Sequence, residues 1–216
     1  MERLICLAIG YVCGLFQTSY IIGRMHKTDI REHGSGNAGT TNALRTFGRK
    51  AGALTLLGDC LKCIIAMVIV RLLFRNSYGD ILPLLSLYGA AGCILGHNFP
   101  FYLNFKGGKG IAASVGLIIT FDWRIFLICV VVFFVLFFAT HYVSLCSICA
   151  YLTAFVLVII LGQMDSYGMD RGHMTELYLL MAALTALALF KHRANIGRLL
   201  KGTESKVYLG KDGKKE

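Results

Sequence analysis

Residues 34–50 read GSGNAGTTNALRTFGRK, a small, polar, glycine-rich stretch set between two runs too apolar for a soluble protein. Gly34, Gly36 and Gly39 allow tight turns and a close backbone approach to a ligand. Ser35, Asn37, Thr40, Thr41 and Asn42 supply hydroxyls and amides, and Arg45 adds a fixed cation. With a helix N-cap expected at Thr41 or Asn42, the glycine-freed amides would suit a phosphate. Taken alone, the stretch reads as a polar connector between membrane helices. Two later polar stretches change that reading.

The flanking runs set the class. The chain has 216 residues, 56% of them apolar, and only two prolines. Apolar runs of about 20 residues are membrane spans, not soluble core. The expectation is an all-α integral membrane protein, one membrane-embedded domain over 1–216. The first run, 4–22, lacks a small-x-small cleavage site and carries Gln17 to Ser19 near its end, so it reads as a retained helix.

Charge orients the chain. The net charge is +10, and sixteen of the 22 Lys and Arg fall in residues 24–50, 98–110 and 191–216. The positive-inside rule makes those segments cytoplasmic, with the N-terminus outside and the C-terminus inside. The same bias attracts anionic substrates and lipid headgroups. Spans are expected at 4–22, 51–74, 81–95, 111–121, 125–139, 145–161 and 174–190. The fourth reaches only about 16 Å against a hydrocarbon core of about 30 Å. Asp122, Trp123 and Arg124 separate it from the fifth. Two short helices turning at the outer interface keep the basic tail inside and bring the count to seven. Residues 207–216 read as a mobile cytoplasmic tail.

Span two holds Asp59 and Lys62, three apart on one helical face. A lone charge at mid-membrane costs about 2.5–3.5 kcal/mol, so the two are expected to form a structural ion pair bordering a site. The eight cysteines include two C-x-x-C pairs, Cys60/Cys63 and Cys146/Cys149. No accompanying histidine or acid pattern supports zinc, so they read as small packing residues.

Every unusual polar stretch then falls on the cytoplasmic side. Residues 96–110, GHNFPFYLNFKGGKG, hold His97, Asn98, Lys106 and Lys109 among Gly107, Gly108 and Gly110. This is not a Walker A loop, because Gly110 stands where Ser or Thr should follow the lysine. Lysines among glycines still hold phosphate by charge and backbone amides. Residues 191–206, KHRANIGRLLKGTESK, carry His192 and Asn195 on one face of a continuing helix. A histidine there serves as base, donor or dipole cap. His141 and Ser144 repeat that spacing at another inner turn. No acidic cluster or metal-ligand set appears, so neither metal nor cofactor is expected. The inventory suits anionic substrates that bring their own reactivity; no nucleic-acid partner is implied.

Together and in this order, SGNAGTTN with Arg45, GHNFPFYLNFKGGKG and HRANIGRLLKGTESK resemble the motifs of the bacterial acyl-phosphate-dependent glycerol-3-phosphate acyltransferases. The likeness covers nearly the whole chain, and the D-x-x-K of span two fits it. Departures are Asn104 and Cys63 where the pattern has glycine, and His141 where arginine more often precedes Tyr-Val-Ser. The resemblance implies a seven-helix enzyme of the bacterial inner membrane with a site open to the cytoplasm. It would move an acyl group from acyl phosphate to the 1-hydroxyl of glycerol 3-phosphate, giving lysophosphatidate and phosphate. That reaction stands at the start of phospholipid synthesis and links the chain functionally to the enzyme that makes acyl phosphate.

Roles follow on that reading. Arg45 and Lys106 hold the glycerol phosphate, and Ser35, Thr41 and Asn42 orient it. His97, Gly107, Gly108 and Lys109 line the second motif's part of the pocket, and Ser144 and His141 complete it. Asn37 and Asn195 donate to the developing oxyanion. His192 is the candidate base, with a substrate phosphate oxygen as the alternative acceptor; Ser35 as a covalent nucleophile lacks a supporting triad. Glu204 ties the tail to another loop. An anion transporter is the alternative, on its basic glycine-rich loops and short helices. Motifs confined to one side and the lack of a repeat speak against it.

Overall fold

Backbone amides in a run of apolar residues have no partner in a bilayer except within their own helix. The computed structural model describes residues 1–208, and among them the ordered elements are all helical. They are α1 (Glu2–Gly14), α2 (Thr18–Met25), α3 (Thr40–Phe47), α4 (Arg49–Phe74), α5 (Leu82–Asn98), α6 (Ile111–Phe121), α7 (Trp123–Thr140), α8 (Val143–Gln163), α9 (Arg171–Lys191) and α10 (Arg193–Leu200). Six segments are long and apolar enough to span a membrane: α1 with α2, α4, α5, α7, α8 and α9. The eleven-residue α6 is the shorter apolar seventh.

The centre is α5, with 67% of its apolar window buried against 17% for α7. It packs on α1 with the two backbones almost in contact. A Cβ on Gly10 would lie 1.9 Å from the Gly89 oxygen, and one on Gly96 would lie 2.3 Å from the Tyr11 oxygen. Lipid tails are as apolar as leucine, so small residues that allow such approach drive membrane helix association. Cys63, Met67, Leu84, Ile94, Leu117 and Leu177 fill the core that α4, α5, α6 and α9 share.

The first span differs from the continuous helix expected at 4–22: it breaks after Gly14 and restarts at Thr18. The freed carbonyls explain why the break is tolerated. Lys62 Nζ donates to the oxygens of Phe16 (2.6 Å) and Gly14 (3.3 Å), and the Tyr102 hydroxyl to that of Leu15 (2.6 Å). Gln17 Nε2 donates to the His97 oxygen at 3.0 Å, tying the break to α5. Lys62 also meets Asp59 at 2.9 Å, the ion pair expected of the two.

The break between α6 and α7 falls at Asp122, whose extended backbone and side chain cap α7 by accepting from the Arg124 amide at 2.9 Å. The first two residues of the expected tail, Val207 and Tyr208, lie against the fold. Val207 is buried against Phe137 and Cys146, and its amide donates to the His141 oxygen at 2.9 Å. The rest of the expected tail, 209–216, lies outside the described residues.

Candidate active site

Asn42 organises the first motif. Its amide nitrogen donates to the oxygens of Ile30 (3.0 Å) and His33 (2.9 Å), and its oxygen accepts from the Ser35 amide (2.9 Å). Gly34, at φ +58°, leaves room for this, since a Cβ there would lie 2.2 Å from the Asn42 oxygen. Asn42 therefore shapes the loop, rather than being free to orient a substrate. The helix starts at Thr40 with Gly39 as its N-cap, two or three residues before the expected cap.

The second motif folds back on the end of α5. The amides of Gly107 and Gly108 donate to the oxygens of Asn98 (3.3 Å) and His97 (3.1 Å). A Cβ on Gly107 would lie 2.0 Å from the His97 oxygen, and one on Gly108 would lie 2.0 Å from His97 Nε2. These glycines are needed for close contact with α5, and they do not border the cavity. Arg31 Nη1 donates to the Leu103 oxygen at 2.9 Å, which places the first two motifs at the same end of the bundle.

The third motif begins where α9 stops. His192 Nδ1 donates to the Ala188 oxygen at 2.8 Å, so Nε2 carries the ring's free lone pair. Burial holds the imidazole neutral, with its pKa down to about 4. The helix does not continue through both candidate residues: His192 joins α9 to α10, and Asn195 lies on α10. Lys109 Nζ meets the Asn195 oxygen, and the Asn195 nitrogen donates to Glu204 at 2.6 Å. Ser144 (2.8 Å) and Arg198 (2.6 Å) also donate to Glu204. Burial disfavours the Glu204 charge, yet these three donors outweigh it and lower its pKa. The same carboxylate ties the tail to the first turn of α8, where the sequence suggested a loop. Burial lowers the Lys109 pKa to about 8 against the pull of Glu204.

These groups border one cavity of about 950 Å³. Its polar end takes in Ser35, Asn37, Thr41, Asn42, Arg45, His97, Lys109, Ser144, His192 and Asn195, ten of the residues singled out from the sequence. Its other end is apolar, walled by Leu117 and Ile118 of α6, Phe126 and Val130 of α7, Ala154 of α8 and Met181 of α9. The chamber thus joins a cationic mouth to an aliphatic pit.

Four expected residues do not border it. Lys106 is exposed just after a turn at Asn104 and Phe105, both at positive φ, and Lys109, held by Asn195, enters the cavity instead. Gly107 and Gly108 are occupied against α5. His141, at φ +60°, caps α7 and its ring meets that of Tyr208 at a tilt of 42°, with the centroids 4.6 Å apart. Conversely, Thr40, Asp59, Arg198, Glu204 and Ser205 border the cavity without having been picked as substrate contacts. Arg198 had a signal, since it extends the three-residue spacing of His192 and Asn195. His97 is partly committed elsewhere: its Nδ1 accepts from Lys62 at 2.8 Å.

Residues 4–202 match the family described as glycerol-3-phosphate acyltransferase. A glycerol-3-phosphate acyltransferase of Clostridioides difficile (strain 630) is 40% identical over 206 residues, 94% of this chain and 95% of that protein. That of Bacillus subtilis (strain 168) is 39% identical over 202 residues, covering 93% and 95%. The fold is similar to the crystal structure of PlsY (YgiH), an integral membrane glycerol 3-phosphate acyltransferase, in its glycerol 3-phosphate form. The TM-score is 0.82 and the identity 30%, over 96% of both chains. The lysophosphatidic acid form gives 0.79 and 29% over the same shares. On sequence and on structure alike, this chain belongs to the glycerol-3-phosphate acyltransferase family.

Proposed function

We propose that the donor is acyl phosphate and that the acyl group goes to the 1-hydroxyl of glycerol 3-phosphate, giving lysophosphatidate and inorganic phosphate. The observation that carries this reading is the two-ended chamber. Arg45, Lys109 and Arg198 supply cations at one end, and the apolar pit at the other matches an acyl chain. Acyl phosphate is a mixed anhydride with a good leaving group, so the site mainly needs alignment and charge neutralisation. Ser35, Thr41 and Arg45 hold phosphate oxygens, with Lys109 in the place first expected of Lys106. Asn37 and Asn195 face the acyl carbonyl.

In the transfer the 1-hydroxyl oxygen bonds to the acyl carbon, the carbon–oxygen bond to phosphate breaks, and phosphate leaves. The hydroxyl proton has two acceptors, His192 Nε2 and a substrate phosphate oxygen. The positive-inside bias supports motifs facing the cytoplasm of a bacterial inner membrane. Supply then comes from an enzyme that makes acyl phosphate, and the product enters phospholipid synthesis. The decisive experiment adds glycerol 3-phosphate and either acyl phosphate or acyl-CoA to purified protein. Phosphate release with lysophosphatidate formation from acyl phosphate alone is expected; turnover of acyl-CoA at a comparable rate overturns the donor assignment.

A further inference from the structure

Asp59 has one carboxylate oxygen that the protein uses and one that it does not. Oδ1 accepts from Lys62 at 2.9 Å and from Thr18 Oγ1 at 3.2 Å. Oδ2 is buried and has no hydrogen-bond partner among the described residues. The residue is 1% exposed and borders the cavity. A buried carboxylate oxygen left unpaired by the protein is expensive, and at a cavity wall a ligand's donor can satisfy it.

Lys62 is not available for this task, because its ammonium is spread over Phe16, Gly14, His97 and Oδ1. His97 Nδ1 accepts a hydrogen bond from Lys62, which leaves that edge of the ring, 3.7 Å from Oδ1, without a donor. His97 also fixes the level of the carboxylate. It abuts Gly108, whose neighbour Lys109 enters the cavity, so Asp59 lies by the polar end and away from the aliphatic pit.

An unpaired carboxylate oxygen needs a donor. A phosphate oxygen is repelled there and an acyl chain cannot bond, whereas an uncharged hydroxyl fits. Lys62 balances the charge, so an anionic substrate can come near. Glycerol 3-phosphate has two hydroxyls, and in the acyltransfer reading, on which this inference rests, the 1-hydroxyl is committed to the acyl carbon. The 2-hydroxyl survives the reaction and must be satisfied wherever it is buried. We infer that the free oxygen of Asp59 accepts a hydrogen bond from the 2-hydroxyl of glycerol 3-phosphate. Asp59 is then a substrate-binding residue as well as half of an ion pair.

The test compares kcat/KM for glycerol 3-phosphate and for 3-hydroxypropyl phosphate, which lacks only the 2-hydroxyl, in the wild-type protein and in Asp59→Asn. Wild type should lose about tenfold or more on the analogue. In Asp59→Asn the penalty should shrink to under about threefold, with the loss confined to glycerol 3-phosphate. Equal use of both acceptors by wild type overturns the inference. So does a variant that keeps the wild-type penalty, because a purely structural ion pair lowers both substrates alike. If Asp59→Asn does not yield folded protein, Asp59→Asn combined with Lys62→Gln removes both charges and is read in the same way. No transfer to either acceptor from any acyl donor removes the acyltransfer reading and this inference with it, which separates that failure from loss of the 2-hydroxyl contact alone.

Discussion

Lys109 places its ammonium 2.5 Å from the side-chain oxygen of Asn195, joining the second glycine-rich motif to α10 inside the cavity. With a pKa of about 8, lowered chiefly by burial, this cation is present at neutral pH and lost as pH rises through that value. The alkaline limb of kcat/KM should therefore fall near pH 8. Arginine keeps its charge, so Lys109→Arg should move the fall to higher pH, and Lys109→Gln should be slow throughout. A limb that stays in place in Lys109→Arg would assign it to another group.

Lys106 offers the contrast. It is exposed and does not border the cavity, so Lys106→Ala should change KM for glycerol 3-phosphate by less than about threefold. Lys109→Ala should change it by tenfold or more, the scale of a lost charge-assisted hydrogen bond. Steady-state kinetics on the two variants decide which lysine serves the phosphate.

His192 is neutral above about pH 4, with Nδ1 tied to Ala188 and Nε2 free. As proton acceptor it should contribute about a hundredfold or more to kcat, so His192→Ala should lose that much. Because its pKa lies so low, no acid limb between pH 5 and 7 should trace to this ring. Near-normal turnover in the variant would pass the proton to a substrate phosphate oxygen.

Glu204 holds Ser144, Asn195 and Arg198 together. Its pKa is lowered below the ordinary 4.5, so the carboxylate's stabilising effect is present above that value and disappears as pH falls through the depressed one. Glu204→Gln should cost about 1.5–3 kcal/mol at pH 7 and flatten the acid dependence of thermal unfolding. An unchanged acid limb would place the titrating group elsewhere.

Gly108→Ala should be costly for a different reason. The new methyl would lie 2.0 Å from His97 Nε2 and 2.6 Å from the Ala38 oxygen, and the latter is backbone that cannot swing away. About 1–3 kcal/mol of destabilisation is expected, together with a raised KM, because Lys109 follows directly in the chain. Thermal unfolding and acceptor kinetics on one preparation separate the two effects.

Much of this was legible from residues alone. Long apolar runs can only be helices in a bilayer, so the spans could be located, and the Asp122 to Arg124 interruption marked the turn between α6 and α7. Asp59 and Lys62 announced their pairing because isolated charges are intolerable there. Clustered polar residues also named most of the polar end of the cavity. What sequence could not say was which atoms were already taken. Asn42 and Thr41 look equivalent on paper, yet three hydrogen bonds commit Asn42 to its own loop. Lys106 and Lys109 share one glycine-rich loop, yet only Lys109 borders the cavity. Leu117 and Leu61 are both leucines on membrane helices, and only packing makes one a cavity wall and the other exposed. Local chemistry determined that this chain crosses a membrane and gathers polar groups at one end. Tertiary structure decided which of those groups face the chamber, because side-chain direction and competing partners are set by distant segments that no local pattern records.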